Sequence, residues 1–183
     1  PMAGNSITED LAIGLKTTIA NAEIIKCEYG SALASAVDAS VEIEIEGISG
    51  RSSQRKSVAL VSHVIQHRVE EMLSLCYNKA KEFYTPELVT AGIVLTGGTA
   101  NLRNIDAACE SAFNLNVKIA SPNLDRLFGL VNQVDDPGFA TAVGLLYYGA
   151  QQDREPKSSS FNLTDFRSIK LIDKLKKILK DFT

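Results

Sequence analysis

The feature that most constrains the fold of this chain is an apolar run that leads into a pair of glycines. Residues Ile93 to Leu95 are apolar, and Gly97 and Gly98 follow after one threonine. A short apolar run beside glycine predicts a buried strand, and paired glycines let the backbone turn tightly and approach a ligand with no Cβ in the way. The pattern predicts either one wall of a ligand site or an ordinary turn between a strand and a helix, and these residues alone leave both open.

The segments that follow this turn predict a parallel sheet. A helix is expected from Asn101 to Asn114, capped by Thr99 or by Asn101 itself. A short strand at residues 116–120 and a helix at residues 139–151 come next. Because strands and helices alternate, we expect the crossover connections that join parallel strands.

Composition limits the class of protein. The 183 residues, of which 45% are hydrophobic, suit one domain or two small ones. A net charge of -3 argues against general nucleic-acid binding, which favours a basic surface. No run of about 20 apolar residues predicts a spanning helix, and no secretory signal opens the sequence. The sequence begins at Pro1 within a turn-like segment, which suggests a piece of a longer protein.

The cysteines and histidines predict no metal site. Cys27, Cys76 and Cys109 are scattered and form no Cys-x-x-Cys pair, so we interpret them as reduced thiols rather than a disulfide frame or a zinc site. His63 and His67 have a spacing that zinc can use, but no third ligand is evident nearby. Two solvated or partly packed histidines are therefore expected.

Two helices are predicted near the start of the chain. The first runs to about Lys16 and is capped by Ser6 or Thr8, because Ser6 and Glu9 have the spacing of a capping box. The second covers residues 19–33 and ends near Gly30 and the serine after it.

Within the second helix, Glu23 and Lys26 are three residues apart and leave the same face. They predict either a surface ion pair, which contributes a few tenths of a kcal/mol, or a pair that grips a polar ligand. From spacing alone the ion pair is favoured.

The middle of the chain begins with a strand that alternates between apolar and acidic residues from Val41 to Glu46. Next is a glycine- and serine-rich connection that carries Arg51, Arg55 and Lys56, read as a solvated loop or as part of a site for an acidic peptide. A long helix is predicted from Val58 to Phe83. Its buried stripe is expected to contain Val61, Ile65, Val69, Met72, Cys76, Ala80 and Phe83.

The C-terminal segment predicts a linker and an amphipathic helix. Residues 151–168 read as a flexible linker, and residues 169–183 as a helix about 20 Å long, too short to cross a bilayer. A basic face opposite a narrow apolar face favours a helix that lies in the membrane interface, although a helix docked on its own domain is the alternative. The residues assigned to the membrane are Leu171, Ile172, Lys174, Leu175, Lys177, Ile178, Leu179 and Phe182.

Four segments of this chain match segments of a known family and occur in the same order as in that family. They are residues 4–15, 22–30, 91–99 and 139–149. The chain resembles the second half of FtsA, a family of actin-like bacterial cell-division proteins, over nearly all of residues 1–150. The family also ends in a linker and an amphipathic membrane-targeting helix, which matches the C-terminal pattern.

The resemblance implies an α/β fold, the actin-like (ribonuclease H-like) ATPase lobe with an inserted α+β subdomain. Residues 1–27 and 91–150 correspond to the family's subdomain 2A, on the nucleotide side, and residues 28–90 to subdomain 2B. It also implies ATP with Mg²⁺ as cofactors of a complete protein, with at most slow hydrolysis. No catalytic residue and no metal ligand are assigned, and this chain alone is expected to bind ATP weakly or not at all.

The resemblance assigns residues to two kinds of site. Those that match the family's nucleotide-binding positions are Gly4, Glu23, Lys26, Gly97, Gly98 and Thr99. Subdomain 2B receives the acidic and apolar C-terminal tail of the tubulin-like protein FtsZ, and the basic candidates for that contact are Arg51, Arg55, Lys56 and Arg68.

The resemblance implies a membrane adaptor of cell division, peripheral on the cytoplasmic face of the membrane at the division site. Its partners are the FtsZ tail, further copies of itself in an actin-like filament, an anionic membrane surface and other division proteins, with no nucleic acid. Two alternatives share the fold: an ATP-dependent enzyme of the actin, Hsp70 and sugar-kinase superfamily, and an actin-like protein of pilus assembly.

Overall fold

A computed structural model describes residues 2–48, 50–83, 85, 89–125, 127–129 and 131–152. The chain divides into two compact units, residues 1–147 and residues 148–183. Of the second unit, the described residues are 148–152, the end of a helix. The predicted helix at 169–183, and almost all of the linker before it, lie outside the described residues.

The described residues form five α-helices and four strands in two small sheets. The helices are α1 (Gly4–Leu15), α2 (Ile19–Tyr29), α3 (Val58–Ala80), α4 (Ile105–Phe113) and α5 (Ala140–Gln152). The strands are β1 (Glu42–Ile45), β2 (Gln54–Ser57), β3 (Ile93–Leu95) and β4 (Val117–Ile119). Short 3₁₀ turns occur at Ala34–Ala36, Gly98–Asn101, Val131–Gln133 and Pro137–Phe139.

The helix α1 begins earlier than predicted. Ala3 is its N-cap, in an extended conformation and without a side-chain cap, and Gly4 is the first helical residue. The prediction that Ser6 or Thr8 caps the helix was wrong, because both residues lie inside it. The Thr8 hydroxyl is instead directed towards α2, where it contacts Glu23 and Lys26.

The helix α2 has a side-chain cap at its start and ends earlier than predicted. Thr18 accepts a hydrogen bond from the Asn21 N–H, which satisfies one of the free amides at the helix start. The helix stops at Tyr29 and Gly30 is extended, with φ -66° and ψ 141°, so the prediction of helix to residue 33 was wrong beyond Tyr29. The expected end near Gly30 is confirmed.

The hairpin of β1 and β2 contains one predicted strand and one that was missed. The alternation of β1 is confirmed, since Ile43 and Ile45 are buried while the glutamates between and before them are exposed. Arg55 and Lys56 were expected in a loop, but they lie on β2, antiparallel to β1. Residues of β2 are polar and carry no alternation of their own, so the pairing with β1 determines this strand.

The helix α3 is the centre of the core, and its buried stripe differs from the predicted one at the C-terminal end. Val61, Ile65 and Val69 are fully buried, and Leu73 continues the stripe. Cys76 is exposed, and Phe83 lies beyond the helix with 79% of its surface exposed. Helices α1, α2 and α4 pack against α3, and the helix ends at Ala80, three residues before the predicted end.

The two strands β3 and β4 are parallel and are joined through α4, so the predicted crossover is confirmed. The helix after the glycine pair begins at Ile105 and not at Asn101, because a 3₁₀ turn at Gly98–Asn101 comes first. Its N-cap is Asn104, in the left-handed region with φ 59°, so neither Thr99 nor Asn101 caps it. The expectation that β3 is buried was wrong: Ile93 and Leu95 are half-buried and Val94 is 66% exposed.

The described residues contain no helix that is long and apolar enough to cross a membrane. They also contain no group of three or more potential metal ligands among their His, Cys, Asp and Glu side chains. Cys27, Cys76 and Cys109 are all free thiols.

Candidate functional site

A cleft of about 430 Å³ lies between the start of α1, the outer face of α2 and the turn after β3. This volume is within the range of small-molecule sites in proteins. The residues that line it are Gly4, Asn5, Ile7, Glu23, Lys26, Cys27, Gly30, Gly98, Thr99, Asn101, Leu102 and Arg103.

The structure brings the residues assigned to nucleotide binding together around this cleft. Gly4, Glu23, Lys26, Gly98 and Thr99 all line it, although they come from three separate segments of the chain. Gly97 lies next to the lining residues, with φ 95°, a left-handed conformation that favours glycine. Its N–H donates to the Pro137 carbonyl at 2.9 Å, and this bond holds the turn against the segment before α5.

The ammonium group of Lys26 joins α2 to the first turn of α1. Its Nζ donates to Glu23 Oε2 at 2.7 Å, to Thr8 Oγ1 at 2.8 Å and to the Gly4 carbonyl at 3.2 Å. The side chain of Lys26 is only 13% exposed, whereas that of Glu23 is 47% exposed. All three ammonium protons are therefore directed at protein atoms, and Glu23 is the member of the pair that faces the solvent of the cleft.

The charge on Glu23 is maintained by its neighbours. The hydrogen bonds from Lys26, and after it from Thr8, lower the pKa of the Glu23 carboxyl below its usual value. The thiol of Cys27 lies 3.5 Å from Glu23 Oε1, and burial, followed by this hydrogen bond, raises the pKa of Cys27. At neutral pH the cleft therefore presents an ionised carboxylate, which accepts hydrogen bonds, beside a protonated thiol.

The absence of a side chain at Gly4 allows α1 and the glycine turn to approach closely. A Cβ built at Gly4 would lie 2.8 Å from Thr99 Oγ1 and 3.7 Å from Lys26 Nζ. Gly4 and Asn5, at the start of α1, line the cleft. Because the first amides of a helix have no acceptor within the helix, they attract polar or anionic groups.

The opposite wall of the cleft is supported by the segment before α5. Asn101 Nδ2 donates to both carboxylate oxygens of Asp136, at 3.1 and 2.9 Å. Thr96 Oγ1 contacts the Ala120 and Pro137 carbonyls at 2.8 and 3.3 Å. These bonds position the turn at residues 97–101.

Sequence reasoning missed several lining residues, among them the polar Asn5 and Arg103. Asn5 follows directly after Gly4, so its place beside the assigned glycine was a usable signal. Arg103 gave none, because its position depends on a bridge between residue 103 and Ser31 and on its contact with the Glu28 carbonyl, both distant in sequence.

The three basic residues of the hairpin region that were assigned to partner binding do not form a single cluster. Arg55 pairs in register with Glu44 and Lys56 with Ile43, so their side chains leave opposite faces. Arg51 is exposed in the connection before β2.

The remaining basic candidate, Arg68, already holds two carboxylates. Its Nε and Nη2 donate to Asp10 at 2.5 and 2.8 Å, and Nη1 donates to Glu71 at 2.6 Å. This bidentate pair connects α3 to α1 and raises the pKa of Arg68. The residues assigned to the membrane, from Leu171 to Phe182, lie outside the described residues.

Comparison with known families identifies relatives of this chain. A family model described as "Cell division protein FtsA" matches residues 1–144. The chain is 32% identical over 168 residues to the cell division protein FtsA of Pseudomonas aeruginosa, and the match covers 92% of this chain and 40% of that protein. It is 33% identical over 158 residues to FtsA of Escherichia coli K12, covering 82% of this chain and 37% of that protein.

Solved structures of low sequence identity share the fold. Two crystal structures of MreB5 from Spiroplasma citri, one bound to ADP and one to AMPPNP, match with TM-scores of 0.60 and 0.62 at 21% identity. The matches cover 81% and 82% of this chain and 44% of each MreB5 chain. This likeness confirms the expected actin-like α/β fold. The chain spans about 40% of the length of the curated relatives.

Proposed function

The chain belongs to the FtsA family of cell division proteins, and from this premise we propose that its cleft binds the adenosine part of ATP in a membrane adaptor of bacterial division. One observation carries the nucleotide proposal. The first turn of α1, the hydrogen-bonded pair of Glu23 and Lys26 on α2, and the glycine turn after β3 all line the same cleft. Within this proposal residues 1–27 and 91–150 form the nucleotide-side lobe and residues 28–90 the partner-binding subdomain.

The chemistry of the lining residues fits an adenine nucleotide. The Glu23 carboxylate accepts hydrogen bonds from sugar hydroxyls, and the open backbone at Gly98, where a Cβ would meet no heavy atom within 4 Å, leaves space for a planar base or a sugar. The described residues assemble no metal-ligand cluster, and the proposal assigns none of them to Mg²⁺.

Because the chain spans about 40% of its relatives, we assign the other wall of the site to the part of those proteins that it does not match. The test is calorimetric titration of ATP with excess Mg²⁺ into two samples. One is the complete protein, meaning a chain that carries both walls of the proposed site, and the other is the 183-residue chain alone. We expect saturable binding by the complete protein and binding weaker by at least about tenfold by the chain, since a half-site loses contacts that each contribute about 1 kcal/mol. Absence of binding by the complete protein would contradict the proposal.

For the partner, we propose that residues 28–90 receive the acidic C-terminal tail of FtsZ. Arg51, in the connection before β2, and Arg55, on β2, are exposed and would attract the acidic residues of the tail. The double charge reversal Arg51→Glu with Arg55→Glu is expected to weaken the affinity for an FtsZ tail peptide about tenfold, because two attractions of up to about 1 kcal/mol become repulsions. Fluorescence anisotropy with a labelled peptide measures this.

The matched control for the partner test is the double reversal Lys16→Glu with Lys118→Glu, which changes the net charge equally but lies outside residues 28–90; both lysines are exposed. Equal affinity loss in both double variants would indicate a general charge effect. An unchanged affinity in the Arg51 and Arg55 variant would remove these two residues from the site.

For the membrane, we propose that residues 169–183 attach the protein peripherally to the cytoplasmic face of the cell membrane. Deletion of residues 161–183 is expected to abolish co-sedimentation with anionic vesicles, because the apolar face and the lysines, at about 1 kcal/mol each near an anionic surface, are lost together. Leu175→Glu with Ile178→Glu keeps every lysine and tests the apolar face alone. Unchanged sedimentation of the truncated protein would favour a helix docked on its own domain.

Self-association is the remaining part of the proposed function. Negative-stain electron microscopy of the same vesicle samples with ATP tests for actin-like filaments. The family match favours this adaptor over the two alternatives of the same fold, an ATP-dependent enzyme and a pilus-assembly protein.

A further inference from the structure

Thr8 is buried at the junction of α1 and α2, with only 3% of its surface exposed. A threonine inside a helix often bonds the carbonyl four residues earlier, and Thr8 Oγ1 does lie 3.1 Å from the Gly4 carbonyl. That local contact does not account for the other two. Oγ1 is also 2.5 Å from Glu23 Oε2 and 2.8 Å from Lys26 Nζ, atoms that belong to a different helix.

The directions of these hydrogen bonds follow from the donors. An ammonium group only donates, so the Thr8 hydroxyl accepts from Lys26. Its single proton has two acceptors within reach, the Gly4 carbonyl at 3.1 Å and the Glu23 carboxylate at 2.5 Å, and we assign it to the carboxylate, which is nearer and charged. Lys26 Nζ donates to the same carboxylate oxygen, Oε2, at 2.7 Å. The three groups therefore form a closed triangle in which Oε2 is occupied twice, and the other oxygen, Oε1, has the weak thiol donor of Cys27 as its neighbour.

From this geometry we infer that Thr8 is a positioning residue of the cleft, whose hydroxyl fixes the Glu23 carboxylate and the Lys26 ammonium group so that Glu23 Oε1 is presented to the ligand. This inference rests on the proposed nucleotide site for the identity of the ligand. Thr8 itself is not a lining residue, so it acts through the two side chains that are.

The test compares Thr8→Val, which removes the hydroxyl at nearly constant shape, with Thr8→Ser, which keeps it. Thr17→Val is the matched control, because Thr17 is equally buried at 3% and its hydroxyl also makes two bonds, to the Glu46 carbonyl and to Asn21, away from the cleft. For ATP with Mg²⁺ and the complete protein, we expect Thr8→Val to raise the Kd about tenfold, Thr8→Ser to restore it to within about threefold, and Thr17→Val to leave it unchanged.

A second readout does not depend on nucleotide binding. Carbon-13 NMR titration of the Glu23 carboxyl, with Lys26 and Cys27 as its titratable neighbours, is expected to show a higher pKa in Thr8→Val than in the wild type, because a donor to the ionised form is lost. Thr8→Ser should return it towards the wild-type value, and Thr17→Val should not change it.

The two readouts separate the two hypotheses. If the wild type does not bind ATP while the Glu23 titration changes as expected, the nucleotide proposal fails and the positioning role is supported. If the wild type binds ATP and Thr8→Val changes neither the Kd nor the titration, the positioning role is overturned. An equal rise of the Kd in Thr8→Val and Thr17→Val would also overturn it, since it would indicate a loss of stability alone.

Discussion

Replacement of Gly30 by alanine is expected to lower the free energy of unfolding by about 3 kcal/mol, the upper end of the usual cost of overpacking a core. A Cβ at Gly30 would lie 2.3 Å from the Lys26 carbonyl oxygen, 2.8 Å from Ile65 Cδ1 and 3.2 Å from Leu102 Cδ1. The first of these atoms is helix backbone and cannot rotate away, and Ile65 is fully buried in α3. The substitution therefore separates the end of α2 from the core. Urea unfolding of both proteins, with the m-value compared, measures this effect.

The control for this prediction is Gly14→Ala, in the helix α1. A Cβ there would meet only Val64 Cγ2, at an ordinary contact distance of 3.8 Å. Alanine is favoured over glycine in a helix by about 0.5–1 kcal/mol, so this variant should be slightly more stable than the wild type. A Gly30→Ala protein as stable as the wild type would show that α2 can end without the close approach seen at Gly30.

The elements that the sequence predicted well are those whose hydrophobic pattern agrees with their packing. The alternation in β1 matches its burial, and the spacing of Val61, Ile65 and Val69 matches the fully buried face of α3. The strand β2 could not be predicted in this way, because its residues are polar and its pairing with β1 determines its conformation. The start of α1 at Gly4 could not be predicted from the sequence either. Its N-cap, Ala3, has no capping side chain, and Ser6 and Thr8 nearby gave a false capping signal.

The candidate site shows the same division between local and long-range information. Spacing placed Glu23 and Lys26 on one face of a helix, and the glycine pair gave a turn, but only the fold brings them to one cleft with Gly4. Thr8 and Arg103 were missed because the atoms that they contact are distant in sequence. Arg68, assigned to a partner, is paired within the chain with Glu71, three residues further along α3, and with Asp10 of α1. The first pair has a spacing that the sequence shows, but the pairing between α3 and α1 follows from no local pattern.

Lys26→Met is expected to weaken ATP binding by the complete protein about thirtyfold, the largest effect that we predict for any single side chain of the cleft. The ammonium group donates to Gly4, Thr8 and Glu23, and hydrogen bonds to charged groups contribute about 1.5–3 kcal/mol each. Without it the carboxylate of Glu23 loses its cationic partner and keeps only the Thr8 and Cys27 donors, and the Gly4 carbonyl loses its hydrogen bond from α2. Calorimetric titration with ATP and excess Mg²⁺ measures the Kd.

The matched control is Lys79→Met, because Lys79 and Glu82 also form an ion pair across three residues of sequence, at 2.6 Å. That pair is on the surface, with the two side chains 68% and 56% exposed. Since exposed pairs contribute at most about 1 kcal/mol, Lys79→Met should leave both the Kd and the stability close to those of the wild type. Equal loss of ATP binding in both variants would attribute the effect to charge and not to the cleft.

A second variant keeps the nucleotide prediction decisive if Lys26→Met lowers stability. A Cβ at Gly98 meets no heavy atom within 4 Å, so Gly98→Val has little to displace within this chain, yet its branched side chain enters the space of the cleft. If ATP occupies that space, Gly98→Val should weaken binding at least about tenfold while the midpoint of urea unfolding without ATP stays near that of the wild type, because a branched side chain in the ligand's place costs contacts of about 1 kcal/mol each and forces a shift. Wild-type affinity in a stably folded Gly98→Val protein would mean that ATP binds elsewhere, and the cleft would then need a different ligand to explain why Glu23, Lys26 and the glycine turn converge on it.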